Sequence, residues 1–421
     1  MLYLNKNGKE EENILRAIRY LMLSAMILVA GCANEEKKTT EESTKTEQTT
    51  KENKAEKVTT ESKDSSEEDV TSDQIDKDRP ASHTTTMKLI DTISEGPITP
   101  KSVVANNKGQ VIANNMMYQH TITVYDAKSR KLIKKLSDTV DFKKFGIDGF
   151  DTPVSGAPVE AVWTEDGKYA YVSQYQLTDH GAEAEDMCSA GKAIAASVVY
   201  RYNAEKQDWD QVIQVGRVPK YVALTQDNSK LLVSNWCDKS LSVVDTKTAK
   251  QTEQIPLNAM PRGIVSLPDN KTAYVTAMFS NEIYKVNLKT GKSEMILQTG
   301  QRPRHLVLDN SGKTIYITVA GANELLKYDV ATDKVIARAT TGKEPRSMAI
   351  SPDSTALYIV NYDENTVSKF DTKTLKEITR VEAGFHPIGI TYENTTGDVW
   401  VANYGGTISV YDDKVATATS N

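Results

Sequence analysis

The chain is poor in the side chains on which most catalytic and cofactor chemistry is built. Its 421 residues include three cysteines, five histidines, four tryptophans and six phenylalanines. It has no Cys-x-x-Cys-His to attach haem, no His-Glu-x-x-His to hold zinc, no Gly-x-Ser-x-Gly nucleophile turn and no glycine loop of the kind that cradles phosphates. No basic stripe with interleaved aromatic residues occurs, so nucleic acid is not an expected partner. The one strongly apolar run, Leu21 to Ala30, is too short to cross a bilayer as a stable helix. No cofactor and no metal are expected.

What the chain does have is a period. Pro219, Pro261, Pro303, Pro345 and Pro387 are each 42 residues apart, and turn starts at Asp245, Asn287, Asp329 and Asp371 keep the same interval. Between proline and turn, each unit carries an apolar stretch and then a strand: Leu231-Leu232-Val233-Ser234-Asn235, Tyr274-Val275-Thr276-Ala277, Tyr316-Ile317-Thr318-Val319, Tyr358-Ile359-Val360-Asn361 and Trp400-Val401-Ala402-Asn403. Repeats of this length are stacked supersecondary units, and 42 residues hold four short strands with their turns but no long helix. Pro100 and Pro158 head two further units with longer insertions, which makes seven. The last unit lacks a fourth strand, whereas Met87 to Ile93 reads as a strand without a unit. The fold expected is therefore an all-β, seven-bladed propeller of four-stranded antiparallel blades, its ring closed by the N-terminal strand pairing onto the last blade.

These strand motifs, read as YVSQ, LVSN, YVTA, YIVN and WVAN, resemble those of the YVTN family of seven-bladed propellers, of the kind found in surface-layer proteins. The resemblance covers about residues 87 to 415 and extends to the Pro-Arg or Pro-Lys start and the Asp-x-x-Thr turn. It implies a fold more than a function, since propellers host binding modules, scaffolds and unrelated enzymes.

Two segments precede the propeller. Residues 1–32 read as a signal peptide: Arg16 and Arg19 lead the apolar run, which ends in Val29-Ala30-Gly31-Cys32. This resembles a bacterial lipoprotein lipobox, implying cleavage before Cys32 and a lipid on its thiol. Glu10, Glu11 and Glu12 are out of place in a basic leader, which puts the translation start downstream of Met1 within reach. Residues 33–86 collapse to Thr, Glu, Lys, Ser and Asp, too polar to offset chain entropy by burial. Acids there outnumber bases by six, the whole net charge of −6. Such a tether has a typical span on the order of 40 Å. Residues 87–421 form the propeller, held on the outer face of the cell membrane of a bacterium with a thick wall.

Outside the cytoplasm a disulfide can persist. Cys188 and Cys237 fall in equivalent loops of adjacent blades and are the expected pair. Two insertions break the period: about Asp138 to Gly156, with Phe142, Phe145 and Phe150, and about Tyr175 to Ala196, with His180. Both are expected to crown one face, where the three phenylalanines would offer an apolar patch to a partner. His180 with Glu183, Glu185 and Asp186 has ligand-type side chains without diagnostic spacing and reads as a solvated acidic loop.

A second candidate site follows each proline. Lys101, Lys220, Arg262, Arg304 and Arg346 should stand at the mouth of the central channel, with His305, His386 and the single acid Glu160 beside them. Five cations near one axis would attract an anion, although a structural role bonding neighbouring blades is the preferred reading. The strand-end amides Asn114, Gln174, Asn235, Asn361 and Asn403 are expected to close turns. The expected activity is recognition of an envelope protein, peptide or polymer by a monomeric, lipid-anchored propeller through the insertion-bearing face. The alternatives are a propeller enzyme of lactonase or lyase type at the channel mouth, marked by His305 and Glu160 in contact, and an accessory subunit of an exported redox or transport complex.

Overall fold

The computed structural model describes residues 80–150, 153–177, 188 and 194–414. They form seven four-stranded antiparallel sheets. Six blades run in chain order from the innermost strand outward, the innermost strands being Ser102–Ala105, Pro158–Trp163, Pro219–Leu224, Pro261–Ser266, Pro303–Leu308 and Pro345–Ile350 for blades 1 to 6. In blade 7 the strands Pro387–Glu393, Asp398–Asn403 and Thr407–Asp412 are completed by Lys88–Ile93, with Lys88 opposite Asp412 and Ile93 opposite Ile408. Every innermost strand packs on the innermost strands of both neighbouring blades, and blade 7 packs on blade 1, so the ring closes. The seven blades and the closure by the N-terminal strand are as expected from the period.

Burial explains the sequence pattern strand by strand. Second strands are covered on both faces by adjacent blades and read as continuous apolar runs: Ala356–Asn361 is buried at every position. Outer strands meet solvent on one side and alternate, as in Lys334–Thr340. The repeated Asp closes each outer hairpin. The Asp245 carboxylate accepts from the Thr248 backbone N–H and hydroxyl at 2.7 and 2.9 Å, and Asp329 and Asp371 do the same with Thr332 and Thr374.

The innermost strands carry a second regularity. In blades 2 to 7 the pairing register slips just after the leading proline, a bulge that turns the next two side chains toward the axis. The N–H freed by the bulge is recaptured by the hydroxyl in the third position of the YVTN-like motif. Ser234, Thr276 and Thr318 accept from the backbone N–H of Tyr221, Gly263 and His305, at 3.0, 2.8 and 3.2 Å. The same hydroxyls donate to the carbonyls of Arg262, Arg304 and Arg346 in the next blade. Each one thus pins its own bulge and its neighbour. Blades 1 and 6 move the hydroxyl to the innermost strand, where Ser102 and Ser347 donate to the carbonyls of Val159 and Ile388. Blade 7 has Gly389 there, because a Cβ would come within 2.7 Å of Ser102 Cα where the ring closes.

Three of the five expected amides close turns; Asn114 and Gln174 do not, the Gln174 amide donating to the carbonyl of Val172 in its own strand at 3.4 Å. Asn235, Asn361 and Asn403 each donate to two hydroxyls of the third strand. In blade 1 that role belongs to Asn115, which reaches Thr121 and Thr123, while Asn114 donates to Ser102.

The N-terminal segment is fastened by a buried ion pair. Lys369 and Asp413, both fully buried, meet at 2.8 Å; the ammonium also donates to the Thr84 carbonyl at 3.0 Å, and the Tyr358 hydroxyl donates to Asp413. Removing one partner of such a pair leaves a buried charge without compensation, whereas replacing both with apolar groups is close to neutral. Asp413→Ala is expected to destabilise the propeller by about 3–5 kcal/mol, and Lys369→Met with Asp413→Leu by much less, as read from urea unfolding midpoints.

Candidate functional site

The loops at the start of the innermost strands and between second and third strands share one face, here the upper face. By register, the residue after each second strand stands around its rim: Met116, Tyr175, Trp236, Met278, Ala320, Tyr362 and Tyr404. Below the rim, the bulged positions line the channel.

The five expected cations do not behave alike. The Lys220 ammonium lies 4.7 and 4.5 Å from the ring centroids of Tyr175 and Trp236, so it is directed to the rim. The Arg346 guanidinium donates to Glu344 and stacks 3.3 Å from the Tyr362 centroid. Glu344 also meets Arg302 at 3.3 Å, which makes it a second acid at the mouth beside Glu160. Arg262 donates to the Lys220 carbonyl at 3.1 Å. Lys101 and Arg304 complete the set. Burial, with the repulsion of Arg262, pushes the Lys101 ammonium well below the usual lysine range. Burial together with Arg346 and Arg262 pulls Arg304 down as well. Lys101, Arg262, Arg304 and Arg346 stand at the starts of the innermost strands of blades 1, 4, 5 and 6.

His305 is held neutral. Its Nδ1 lies 3.0 Å from the Met348 N–H, which can only donate, so Nε2 carries the proton and gives it to the Tyr221 hydroxyl oxygen at 2.8 Å. Burial, reinforced by Arg262, Arg304 and Lys101, depresses the imidazole to about 3. The two side chains meet across blade 4 because Gly263 stands between them; a Cβ there would lie 2.8 Å from the Arg304 carbonyl oxygen. Burial raises the Glu160 carboxyl against the pull of Lys101 and Arg262. His305 is bonded to Tyr221 and Met348 and not to Glu160, so the contact that would mark an acid–base dyad is not formed. His386 is stacked between Phe385 and Tyr362, with centroids 3.8 and 4.1 Å away.

The first insertion departs from expectation. Its ends lie on the upper face, but its middle folds down the outside of the ring, and Phe142, Phe145 and Phe150 turn inward. Phe142 is fully buried, meeting Phe150 and Tyr200 edge-on with centroids 5.1 and 6.1 Å away, and Phe145 and Phe150 pack against the same core as Trp209 and Val212. The three rings fill the cleft between blades 1 and 2 and offer no apolar patch. The insertion instead walls a groove of about 810 Å³ on the circumference, lined by Lys144, Phe145 and Ile147 with Asp210, Gln214 and Gln251. The exposed aromatic surface lies elsewhere. Among the described residues the exposed large apolar side chains are Leu89, Leu132, Met295 and Ile336 on outer strands, and Tyr118, Phe279, Phe385 and Tyr404, all in loops of the upper face.

In the second insertion, Cys188 is disulfide-bonded to Cys237 with Cα atoms 5.4 Å apart, and Tyr175 and Ile194 pack beside it with Trp236. His180 and Cys32 lie outside the described residues. No cluster of three metal-ligating side chains occurs among the described residues.

Residues 197–351 match the family model described as YNCE-like beta-propeller. That span runs from the third strand of blade 2 through the innermost strand of blade 6. No curated protein matches the chain. Among solved structures, a chain of the Kuenenia stuttgartiensis hydrazine synthase superposes with a TM-score of 0.59 at 16% identity, covering 78% of this chain and 98% of that one. At this identity the likeness is one of fold. The family model and the superposition agree with the propeller geometry; the finer YVTN and surface-layer resemblance is carried by the strand motifs alone.

The start of the first insertion holds a titrating pair. The Asp138 side chain is 1% exposed, 3.2 Å from His120 Nδ1, which also gives its proton to the Gly156 carbonyl at 2.7 Å. Burial raises Asp138 to about 6, and the bond to Asp138 raises His120. Both folded-state values exceed the unfolded ones, so the stabilisation is complete at low pH and is lost as pH rises. For Asp138 the loss falls between about 4 and 6 and amounts to roughly 3 kcal/mol. Asp138→Asn is expected to flatten the fall in Tm over that interval.

Proposed function

We propose that the protein is a lipid-anchored, extracytoplasmic binding protein that recognises an envelope protein, peptide or polymer through the upper face of its propeller. The observation that carries this reading is the segregation of exposed side chains: the exposed aromatics gather on the upper face, while the exposed aliphatics are scattered singly around the outer strands. Aromatic side chains bury large area at low entropic cost and are enriched where binding energy concentrates. The lipobox ending in Cys32 and the polar residues 33–86 support the anchored location, and a bridge between Cys188 and Cys237 suits an oxidising compartment. Catalysis is the weaker reading, because His305 is neutral, fixed by Tyr221 and Met348, and does not meet Glu160.

Two experiments test this. Cys32→Ser is expected to move the protein from the membrane fraction to the medium; retention in the membrane would refute lipid anchoring. Photo-crosslinking in intact cells should yield a discrete adduct that is lost when Tyr118, Phe279, Phe385 and Tyr404 are all replaced by alanine. Adducts of equal yield from both forms would refute recognition by the upper face.

A further inference from the structure

Among the described residues, two of the channel cations have no acid partner. Among the described residues, Arg304 has one polar contact, Nη1 to the thioether sulfur of Met278 at 3.8 Å. A thioether is a weak acceptor, whereas a guanidinium carries five N–H donors. No carboxylate among the described residues lies within ion-pair distance of Arg304 or Lys101. Glu160 reaches Lys101 only through its field, and Glu344 is committed to Arg302 and Arg346. Both cations retain partial exposure, so they face the lumen and are not packed into a blade. Buried or half-buried cations are ordinarily paired, and unpaired ones are costly.

A directional donor adds to the charge. The Tyr221 hydroxyl accepts from His305 Nε2–H, so its own proton is left to give, and no acceptor among the described residues receives it. His305 is locked in this tautomer by the Met348 N–H, which fixes the Tyr221 oxygen in place. Gly263 lets the backbone of blade 5 approach, its Cβ position lying 2.8 Å from the Arg304 carbonyl oxygen.

We propose that the channel mouth is an oxyanion-binding site, in which Arg304 and Lys101 supply charge and the Tyr221 hydroxyl supplies an oriented hydrogen bond to a phosphate or carboxylate group. Arginine suits such a group because its planar fork matches two oxygens at once. The ligand is a small molecule able to enter between the inner strands. The site stands on the channel geometry alone and does not depend on what the rim aromatics engage or on the lipid anchor.

The test uses the purified full-length protein, with thermal unfolding and titration calorimetry in sodium phosphate, in sodium malonate, and in sodium chloride of matched ionic strength. Phosphate or malonate, at millimolar concentration, is expected to raise the Tm above the chloride control, and whichever does so identifies the oxyanion class. Arg304→Met and Lys101→Met should abolish the shift, and Tyr221→Phe should weaken binding about tenfold. Without ligand, Arg304→Met should melt no lower than the parent, since it removes an uncompensated charge; if it fails to fold, Lys101→Met provides the same comparison. No shift with either oxyanion, or a shift undiminished in both cation variants, would overturn the proposal. Neither result bears on crosslinking at the upper face.

Discussion

A bulge of one residue, and the hydroxyl that captures its freed N–H, is the constraint on which the rest of this propeller depends. In blades 2 to 7 the slip after the leading proline turns consecutive side chains toward the axis, where a regular strand would send every second one into a neighbouring blade. Without it there would be no ring of cations and no Tyr221–His305 bridge. Because Ser234, Thr276 and Thr318 also donate to the next blade, the interaction that shapes the channel is the one that joins adjacent sheets. The Ser or Thr of the strand motif is therefore a joint between blades as much as a strand former. Where a blade lacks it, as at Val360, Ser347 takes over from the facing strand.

Much of this was legible in the sequence, because a period needs no knowledge of packing. The 42-residue spacing, the missing outer strand and the stray strand at Met87 to Ile93 together specified seven blades and their closure. The repeated Asp-x-x-Thr likewise specified its own hydrogen bonds, which are local. Less could be read where the outcome turned on direction. Phe142, Phe145 and Phe150 stand in an insertion that the repeat does not require, and nothing local shows whether such rings face water or a cleft; two adjacent blades supplied the cleft. Lys220 and Arg304 follow equivalent prolines, yet one meets Tyr175 and Trp236 while the other meets Met278. That difference is set by the residue after the second strand, a position whose variation around the ring was the available signal. Tyr221 and Glu344 were missed because they lie one position beyond and one before the residues that the repeat emphasises.

The site combines polar groups in a way that favours holding over turnover. A base that keeps its lone pair on a backbone N–H and gives its proton to Tyr221, with the acid Glu160 out of contact, makes a receptor with little that can move a proton. This separates the chemistry of the lumen from that of the rim, where the exposed large side chains are aromatic rings.

The manner of closure also sets a load path. Lys88–Ile93 is the outermost strand of blade 7, so a pull from the N-terminal side would by itself peel it from Thr407–Asp412 one hydrogen bond at a time. Three attachments come before that strand: Asp353 accepts from the Ala81 N–H, Thr355 from the Ser82 N–H, and Lys369 donates to the Thr84 carbonyl. All three belong to blade 6. Tension entering at the N-terminus is borne first by a neighbouring sheet that is complete in itself, and the seam of the ring is shielded from it.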